Sequence, residues 1–212
     1  MQGSLFRAIG DLLFPPHKDV SDSRTITYEY IERVYTLAYH RDTHIYTALP
    51  YTHARVRSLV RANKFYGDRN AARMLAHILE MMLSDVYTDE LFTIGAKTLL
   101  IPMPSSLQRR KERGYNQVER IVEMLPKNFF NTYHYEPNVL VRSHRKSQAH
   151  IPKHKRSVNV RNSFQVRKNE HVEGATVLLV DDVSESGATM KDAMRALYEA
   201  QVRNVIGVAL AH

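Results

Sequence analysis

Apolar residues along this chain occur either in short unbroken runs or at helical spacing, and the two patterns alternate toward the end of the sequence. Unbroken runs at 98–104, 176–180 and 204–211 predict buried strands. Between the last two runs, apolar residues recur every three or four positions, which predicts a helix over 188–201. A strand, a helix and a strand in this order form a parallel βαβ unit with a right-handed crossover. The pattern therefore predicts an α/β fold.

The N-terminal half is predicted to be mostly helical. Amphipathic patterns predict helices over 3–14, over 52–66 and from residue 69 to about residue 83. The polar stretch 17–25 is interpreted as a linker. The tyrosine-rich stretch 26–49 fits helix or strand by its periodicity, and we interpret its segment ITYEYIERVYTLAYH as a helix that packs against the neighbouring domain. Base stacking is the alternative use of these aromatic rings.

Composition narrows the class of protein. The net charge of +8 suits a polyanionic partner, either a pyrophosphorylated sugar or nucleic acid, and a merely basic surface is the alternative. The chain has no cysteine, which excludes disulfides and cysteine-based zinc sites. No apolar run reaches the ~20 residues of a membrane span, and no signal peptide is recognisable, so we expect a cytoplasmic protein. His40 and His44, four residues apart, are interpreted as surface residues and not as metal ligands.

The most informative stretch is 176–190. Its apolar strand ends in two adjacent carboxylates, Asp181 and Asp182, and a loop of small residues then leads into a helix. Such a turn directs backbone N–H groups and the positive end of a helix dipole at an anion. Carboxylates beside it suit sugar hydroxyls and hydrated Mg²⁺. The alternative is an ordinary turn with exposed acids. The predicted phosphate loop consists of Ser184, Glu185, Ser186, Gly187, Ala188 and Thr189.

A second candidate anion site follows the strand predicted at 98–104. Ser105 and Ser106 leave space at the strand end, several cations come next, and a helix is predicted to begin at Asn116 or Gln117. Arginine suits such a site because its planar guanidinium can hold two phosphate oxygens at once. A basic loop on a structural turn is the alternative.

These motifs carry a family resemblance. The stretch 176–190 resembles the phosphoribosyl pyrophosphate (PRPP) signature of type I phosphoribosyltransferases, with Glu185 and Ser186 standing where two threonines are usual. The sequence Ile-Pro-x-Pro, followed by Arg-Gly-Tyr-Asn-Gln, is similar to the ComF family, and it places Asn116 and Gln117 in the most recognisable family motif. Further motif residues match in order: Arg142, Gln148, Arg156, Asn159 and Phe164.

The resemblance implies a type I phosphoribosyltransferase fold, a parallel sheet flanked by helices, over residues 46–212, with an N-terminal helical extension over 1–45. It implies that the protein binds PRPP through loop 184–189, with Mg²⁺ held at Asp181 and Asp182 through water. The catalytic residues it implies are Asp181, Asp182, Glu185 and Arg113. Those implied to face pyrophosphate are Ser105, Ser106, Arg145 and Lys146, and the basic stretch 143–155 would close over the substrate. In many ComF proteins a zinc finger follows the stretch similar to 13–16, but this chain, lacking cysteine, holds no such zinc.

Two other functions are open at this stage. One is a competence or DNA-uptake accessory protein that binds single-stranded DNA without turnover. The other is a purine-type salvage phosphoribosyltransferase in which Glu185 faces the base. The acceptor substrate stays open, as does the choice between a monomer and a homodimer.

Overall fold

The computed structural model describes residues 16–88, 97–142, 163–167 and 171–212. Within them the helices are α1 (Lys18–Ser23), α2 (Tyr28–Val34), α3 (Ala54–Tyr66), α4 (Arg69–Thr88), α5 (Leu107–Arg113), α6 (Gln117–Val122), α7 (Phe129–Thr132) and α8 (Ala188–Glu199). The strands are β1 (Ala38–His40), β2 (Ile45–Leu49), β3 (Thr98–Pro102), β4 (His134–Tyr135), β5 (Leu140–Arg142), β6 (Phe164–Val166), β7 (Thr176–Val183) and β8 (Asn204–Ala211).

Six strands form the main sheet in the order β1-β2-β8-β7-β3-β4. Strand β1 is antiparallel to β2, and every other pair in this sheet is parallel. Strands β5 and β6 form a separate antiparallel pair. The predicted α/β fold is confirmed, and the strand, helix and strand expected at the C-terminal end are β7, α8 and β8.

Helices cover both faces of the sheet, which explains the unbroken apolar runs. Along β7, Leu178 and Val180 enter the core formed with α3, α4 and α6. Their neighbours Val177 and Leu179 enter the second core, formed with α8 and the β5–β6 pair. Because successive side chains of a strand point to opposite faces, a strand buried on both sides contains no polar alternation. The two carboxylates of β7 therefore stand out as the residues that end its unbroken apolar run.

The N-terminal segment differs from two predictions. The linker expected at 17–25 is wrong, because α1 lies there and buries Val20 against α3. The Arg61 Nε donates to Asp19 Oδ2 at 2.8 Å and ties the same two helices together. Six residues are too few to show an apolar period, so the polar composition dominated the prediction.

The helix expected across ITYEYIERVYTLAYH is only partly present. Helix α2 ends at Val34, and Tyr35 is extended, with its hydroxyl donating to Asp85 Oδ2 at 2.7 Å. Strand β1 follows, where Tyr39 packs on Tyr46 with ring centroids 4.6 Å apart. Aromatic cross-strand packing has decided the structure of a segment whose periodicity was ambiguous.

Other segments follow the predictions more closely. The two helices expected after residue 52 are α3 and α4, and α4 is longer than predicted. The helix expected at 3–14 lies outside the described residues. The domain boundary at 45/46 stays a prediction, although β1 shows that the sheet begins before it. No helix within the described ranges is both long enough and apolar enough to cross a bilayer.

Candidate active site

The two carboxylates lie at the carboxyl end of β7, in the middle of the sheet. The backbone N–H of Asp182 donates to Asp181 Oδ1 at 2.8 Å, and that of Val183 donates to Asp182 Oδ1 at 3.0 Å. Asp182 is buried, and its Oδ2 has no hydrogen-bond partner among the described residues. A buried acceptor oxygen without a donor is unfavourable, which points to a ligand or cation as its missing partner.

Electrostatics distinguish the two acids. Burial, and then the charge of Asp182, raise the pKa of Asp181 well above its usual range, and the Lys64 ammonium partly offsets this. Two adjacent carboxylates at one site repel each other, and a divalent cation relieves that repulsion. Among the described residues no group of three or more His, Asp or Glu side chains could hold a metal. An ion at this pair would therefore keep water or substrate oxygens as its other ligands.

The predicted phosphate loop leads directly into α8. Gly187 precedes the helix with φ 69°, in the left-handed region, and the Ser186 Oγ accepts from the Ala188 N–H at 3.4 Å. A Cβ on Gly187 would lie 3.1 Å from Ile45 Cδ1 and 3.2 Å from Thr43 Cγ2. Both the backbone angle and the tight packing favour glycine here.

The loop and the acids open onto one cavity of about 350 Å³. The cavity lies at the carboxyl ends of neighbouring parallel strands, which is the usual position of a ligand in an open α/β sheet. The loop itself and both acids line it, as predicted. Residues from other elements that also line it are Tyr51, Lys64, Met103, Pro104, Ser105, Arg109, Gln117 and Arg142.

Four polar or charged lining residues were not assigned to the site from the sequence: Tyr51, Lys64, Arg109 and Arg142. Burial, and then the charge of Asp182, raise the pKa of Tyr51, and the charge of Glu185 adds to the effect. Lys64 belongs to α3 and Arg109 to α5. Arg142 was matched only as a family-motif residue. Helix α5 was not predicted because it buries no side chain and therefore has no apolar stripe.

Three predicted site residues do not line the cavity. Ser106 is the N-cap of α5, where its Oγ accepts from the Arg109 N–H at 3.3 Å. Asn116 is buried, caps α6 by accepting from the Val118 N–H, and donates to the Met103 carbonyl at 3.0 Å. The Arg113 guanidinium lies 4.9 Å from the Phe65 ring centre and donates to Gln117 Oε1 at 3.3 Å.

Five predicted site residues lie outside the described residues: Arg145, Lys146, Gln148, Arg156 and Asn159. The stretch 143–155, expected to close over the substrate, lies outside them as well. Of the two histidines interpreted as surface residues, His40 contacts Thr47 Oγ1 through Nε2 at 2.9 Å, and His44 contacts the Tyr39 hydroxyl through Nδ1 at 2.9 Å.

Comparisons with known proteins relate the chain to phosphoribosyl transferases. Residues 116–212 match the phosphoribosyl transferase domain family. The chain is 30% identical over 136 residues to the competence protein ComFC of Bacillus subtilis (strain 168), covering 64% of this chain and 50% of ComFC. The chain thus spans about half the length of this curated relative.

Solved structures show weaker similarity. A hypoxanthine phosphoribosyl transferase from Trypanosoma cruzi matches with a TM-score of 0.40 and 13% identity over 65% of this chain and 63% of its own. One from Staphylococcus aureus matches with a TM-score of 0.38 and 13% identity over 67% and 63%. These values are too low to bear on function. The family match over residues 116–212, the ComFC relative and the mostly parallel sheet flanked by helices together support a ComF-family phosphoribosyltransferase-like protein with the type I phosphoribosyltransferase fold.

Proposed function

We propose that this protein binds PRPP with Mg²⁺ in the cavity at the end of β7 and transfers the phosphoribosyl group to an acceptor. One observation supports this most directly. The paired acids, the phosphate loop and Ser105 line the same cavity, and two buried oxygens there, Asp182 Oδ2 and Ser105 Oγ, have no hydrogen-bond partner among the described residues. A polyanionic sugar with free hydroxyls supplies both the anion and the donors that such a cavity lacks.

The proposed ligand occupies the cavity in two parts. The 5′-phosphate binds loop 184–189, where the N-terminus of α8 adds roughly half a positive charge. The ribose hydroxyls donate to Asp181 and Asp182. Mg²⁺ fits the same pair, because the unsatisfied Oδ2 of Asp182 is the kind of oxygen ligand it prefers. When bound, the ion would neutralise charge on the pyrophosphate.

The proposed transfer breaks the bond between C1 of ribose and the pyrophosphate oxygen, whose electron pair leaves with pyrophosphate. A lone pair of the acceptor forms the new bond to C1, and the acceptor loses one proton. We assign that proton to Glu185, which is exposed on the cavity. Tyr51 lines the same cavity, and the Glu185 charge contributes to raising the pKa of its phenol.

Calorimetry with PRPP and MgCl₂ tests this proposal. We expect saturable binding to the natural chain and a loss of about a hundredfold in affinity for D181N and for D182N, as for removal of a buried charged partner. The exposed Asp42 does not line the cavity, and D42N is a charge-matched control. Absence of binding to the natural chain, or equal affinity in D182N and D42N, would contradict the proposal.

The role of Glu185 has its own test. With a panel of free bases and PRPP, pyrophosphate release measures turnover. E185Q should bind PRPP at least as tightly as the natural chain, because a negative charge beside the phosphate is removed, and release pyrophosphate at least tenfold more slowly, as expected for loss of a general base. If E185Q keeps the natural rate on an accepted base, Glu185 is not the base.

A second candidate function, binding of single-stranded DNA, is favoured by a surface beside the cavity. Phe65 is 50% exposed, and three cations surround its ring: Arg61 at 5.5 Å, Lys64 at 5.9 Å and Arg113 at 4.9 Å from the ring centre. Tyr66 beside it is 43% exposed. Exposed rings that stack bases, interleaved with cations that hold phosphates, are typical of single-strand binding.

A gel shift with an oligothymidylate in a salt series tests the DNA proposal. F65A should weaken binding about tenfold, since stacking contributes roughly 1–3 kcal/mol per base. The control is Y28A, which removes another exposed ring, one that packs edge-on against His77. If the natural chain shows no shift at low salt, or if F65A and Y28A behave alike, Phe65 does not stack a base.

A further inference from the structure

A histidine side chain holds the first residue of the phosphate loop. Strand β7 ends at Val183, and the loop begins with Ser184. The Ser184 N–H donates to the Ala211 carbonyl at 3.0 Å, which extends the ladder between β7 and β8 by one residue. The Ser184 carbonyl accepts from Nδ1 of the His212 imidazole at 2.6 Å. Both backbone groups at the start of the loop are therefore fixed, and one of them is fixed by a side chain.

His212 is itself held in place on several sides. Its N–H donates to the Leu49 carbonyl at 3.0 Å, and its carbonyl accepts from the Tyr51 N–H at 2.8 Å. Its imidazole packs beside that of His40 in β1, with ring centres 4.9 Å apart. The His40 ring is tied in turn through Nε2 to Thr47 Oγ1 at 2.9 Å. The donor at His212 Nδ1 is therefore preorganised, and ordering it costs little entropy.

The bond from His212 also orients a donor of the loop. The Ser184 carbonyl and the Glu185 N–H belong to one planar trans peptide group, in which they point in opposite directions. Fixing the carbonyl therefore fixes the direction of this N–H. Within the described ranges, the N–H groups of Glu185, Ser186 and Gly187 make no hydrogen bond to the protein. Successive free N–H groups that lead into a helix are the kind of donors that hold a phosphate.

We infer that His212 is a positioning residue of the phosphate loop. Its Nδ1–H group holds the peptide between Ser184 and Glu185 so that the Glu185 N–H is directed to the 5′-phosphate of the ligand. This inference rests on the proposed function. Ser184 is buried, so its carbonyl would lack a partner without the imidazole donor. Rotation of the peptide would then turn the carbonyl oxygen toward the phosphate, where it repels the anion.

The tautomer of His212 tests the hydrogen bond without any ligand. A carbonyl oxygen only accepts, so Nδ1 must carry the proton, and the neutral ring must be the Nδ1–H tautomer. Nitrogen-15 NMR of the histidine rings at about pH 8, above the ordinary histidine pKa, measures this tautomer. The signals of His212 are those that H212N lacks. The Nε2–H tautomer at His212 would overturn the inference, whatever the protein binds.

Affinities for PRPP and ribose 5-phosphate, each with MgCl₂, test the consequence for binding by calorimetry. H212F keeps an aromatic ring beside His40 but removes the donor, and it should weaken both ligands about tenfold, as for one hydrogen bond to a charged group. H212N should bring both affinities to within about threefold of the natural chain, because the asparagine amide nitrogen reaches the position of Nδ1. H212Q, whose amide nitrogen lies nearer the position of Nε2, should bind as weakly as H212F.

H134F is the matched control for H212F. His134 is exposed on the edge strand β4 and does not line the cavity, so H134F should bind both ligands as the natural chain does. Urea unfolding of the four variants separates positioning from general support of the fold. H212N and H212Q should unfold at the same urea concentration, although H212N alone of the two restores affinity.

The outcomes distinguish this inference from the proposed function. If PRPP binds but H212F matches H134F, or if H212N binds no better than H212F and H212Q, the inference is overturned and the proposed function stands. If the natural chain binds neither sugar phosphate, the proposed function fails. His212 then keeps its role only if inorganic phosphate binds and H212F weakens that binding. Absence of phosphate binding would overturn the inference as well.

Discussion

The cavity has two chemically opposite sides that are built in different ways. The acidic side, Asp181 and Asp182 with loop 184–189, comes from one unbroken stretch that runs from the end of β7 into the start of α8. The basic side, Lys64, Arg109 and Arg142, comes from α3, α5 and β5. A contiguous stretch carries its own local geometry, whereas a dispersed set exists only once the sheet order brings its elements together. The first type of site can be predicted from sequence, and the second is found only in the fold.

Removing a carboxylate from the acidic side should weaken PRPP binding more than any other substitution, and it should raise the free energy of unfolding. Beyond its loss of PRPP affinity, D181N should be more stable than the natural chain at pH 7 to 8, by about 1 kcal/mol, as is common for functional residues. Burial and Asp182 raise the pKa of Asp181 in the folded state. In the folded state the Asp181 carboxyl thus keeps its proton at pH values where the same carboxyl of the unfolded chain has released it.

This pKa shift defines a pH window for the stability difference. The folded state loses stability as pH rises from the unfolded pKa through the raised folded pKa. The advantage of D181N should therefore vanish below about pH 4, where the unfolded carboxyl is protonated too. Urea unfolding at several pH values measures it. A constant difference between pH 3 and 8, or lower stability of D181N at pH 8, would show that the pKa of Asp181 is not raised.

Adding one methyl group to the loop should have the next largest effect. G187A places a Cβ within 3.2 Å of Thr43 and Ile45 at φ 69°. We expect PRPP affinity to fall about tenfold because the loop must shift, and unfolding free energy to fall by about 1–2 kcal/mol from the strained angle. G174A is a close control, since Gly174 has φ 67° and no atom within 4 Å of its added Cβ. Equal PRPP affinity in the two variants would show that the loop does not need this packing.

The same contrast explains which predictions succeeded. Strand β7, its two acids and α8 followed from local patterns, because a doubly buried strand excludes polar residues until it ends. The helix predicted across the aromatic segment that leads to β1 is only partly present, because cross-strand packing of Tyr39 on Tyr46 overrides local periodicity. Arg109 was not selected from among many cations, since only the fold shows which cation faces the cavity.

Substitution of Lys64 tests whether a cation of the basic side influences the ionisation of the acidic side. The ammonium of Lys64 partly offsets the burial and the Asp182 charge that raise the pKa of Asp181. We expect K64Q to weaken PRPP binding about fivefold, a modest loss typical of a charge that is not fully buried. The loss of PRPP affinity in K64Q should become smaller at higher pH, where the Asp181 carboxyl ionises without the Lys64 charge. K127Q removes an exposed lysine that does not line the cavity and is the control. A loss in K64Q that does not change with pH would mean that Lys64 contacts the ligand directly.

The smallest effect should follow substitution of Arg113, the cation that the family resemblance places among the catalytic residues. Its guanidinium lies on the Phe65 ring and donates to Gln117, which lines the cavity in its place. We therefore expect R113Q to change PRPP affinity by no more than about threefold and to lower the unfolding free energy by about 0.5–1 kcal/mol through loss of the cation–π contact. Turnover measured by pyrophosphate release, together with calorimetry, distinguishes the two roles. If R113Q keeps its affinity but releases pyrophosphate a hundredfold more slowly, Arg113 reaches the leaving group during the reaction. The basic side of the cavity would then have a fourth cation that its resting geometry does not show.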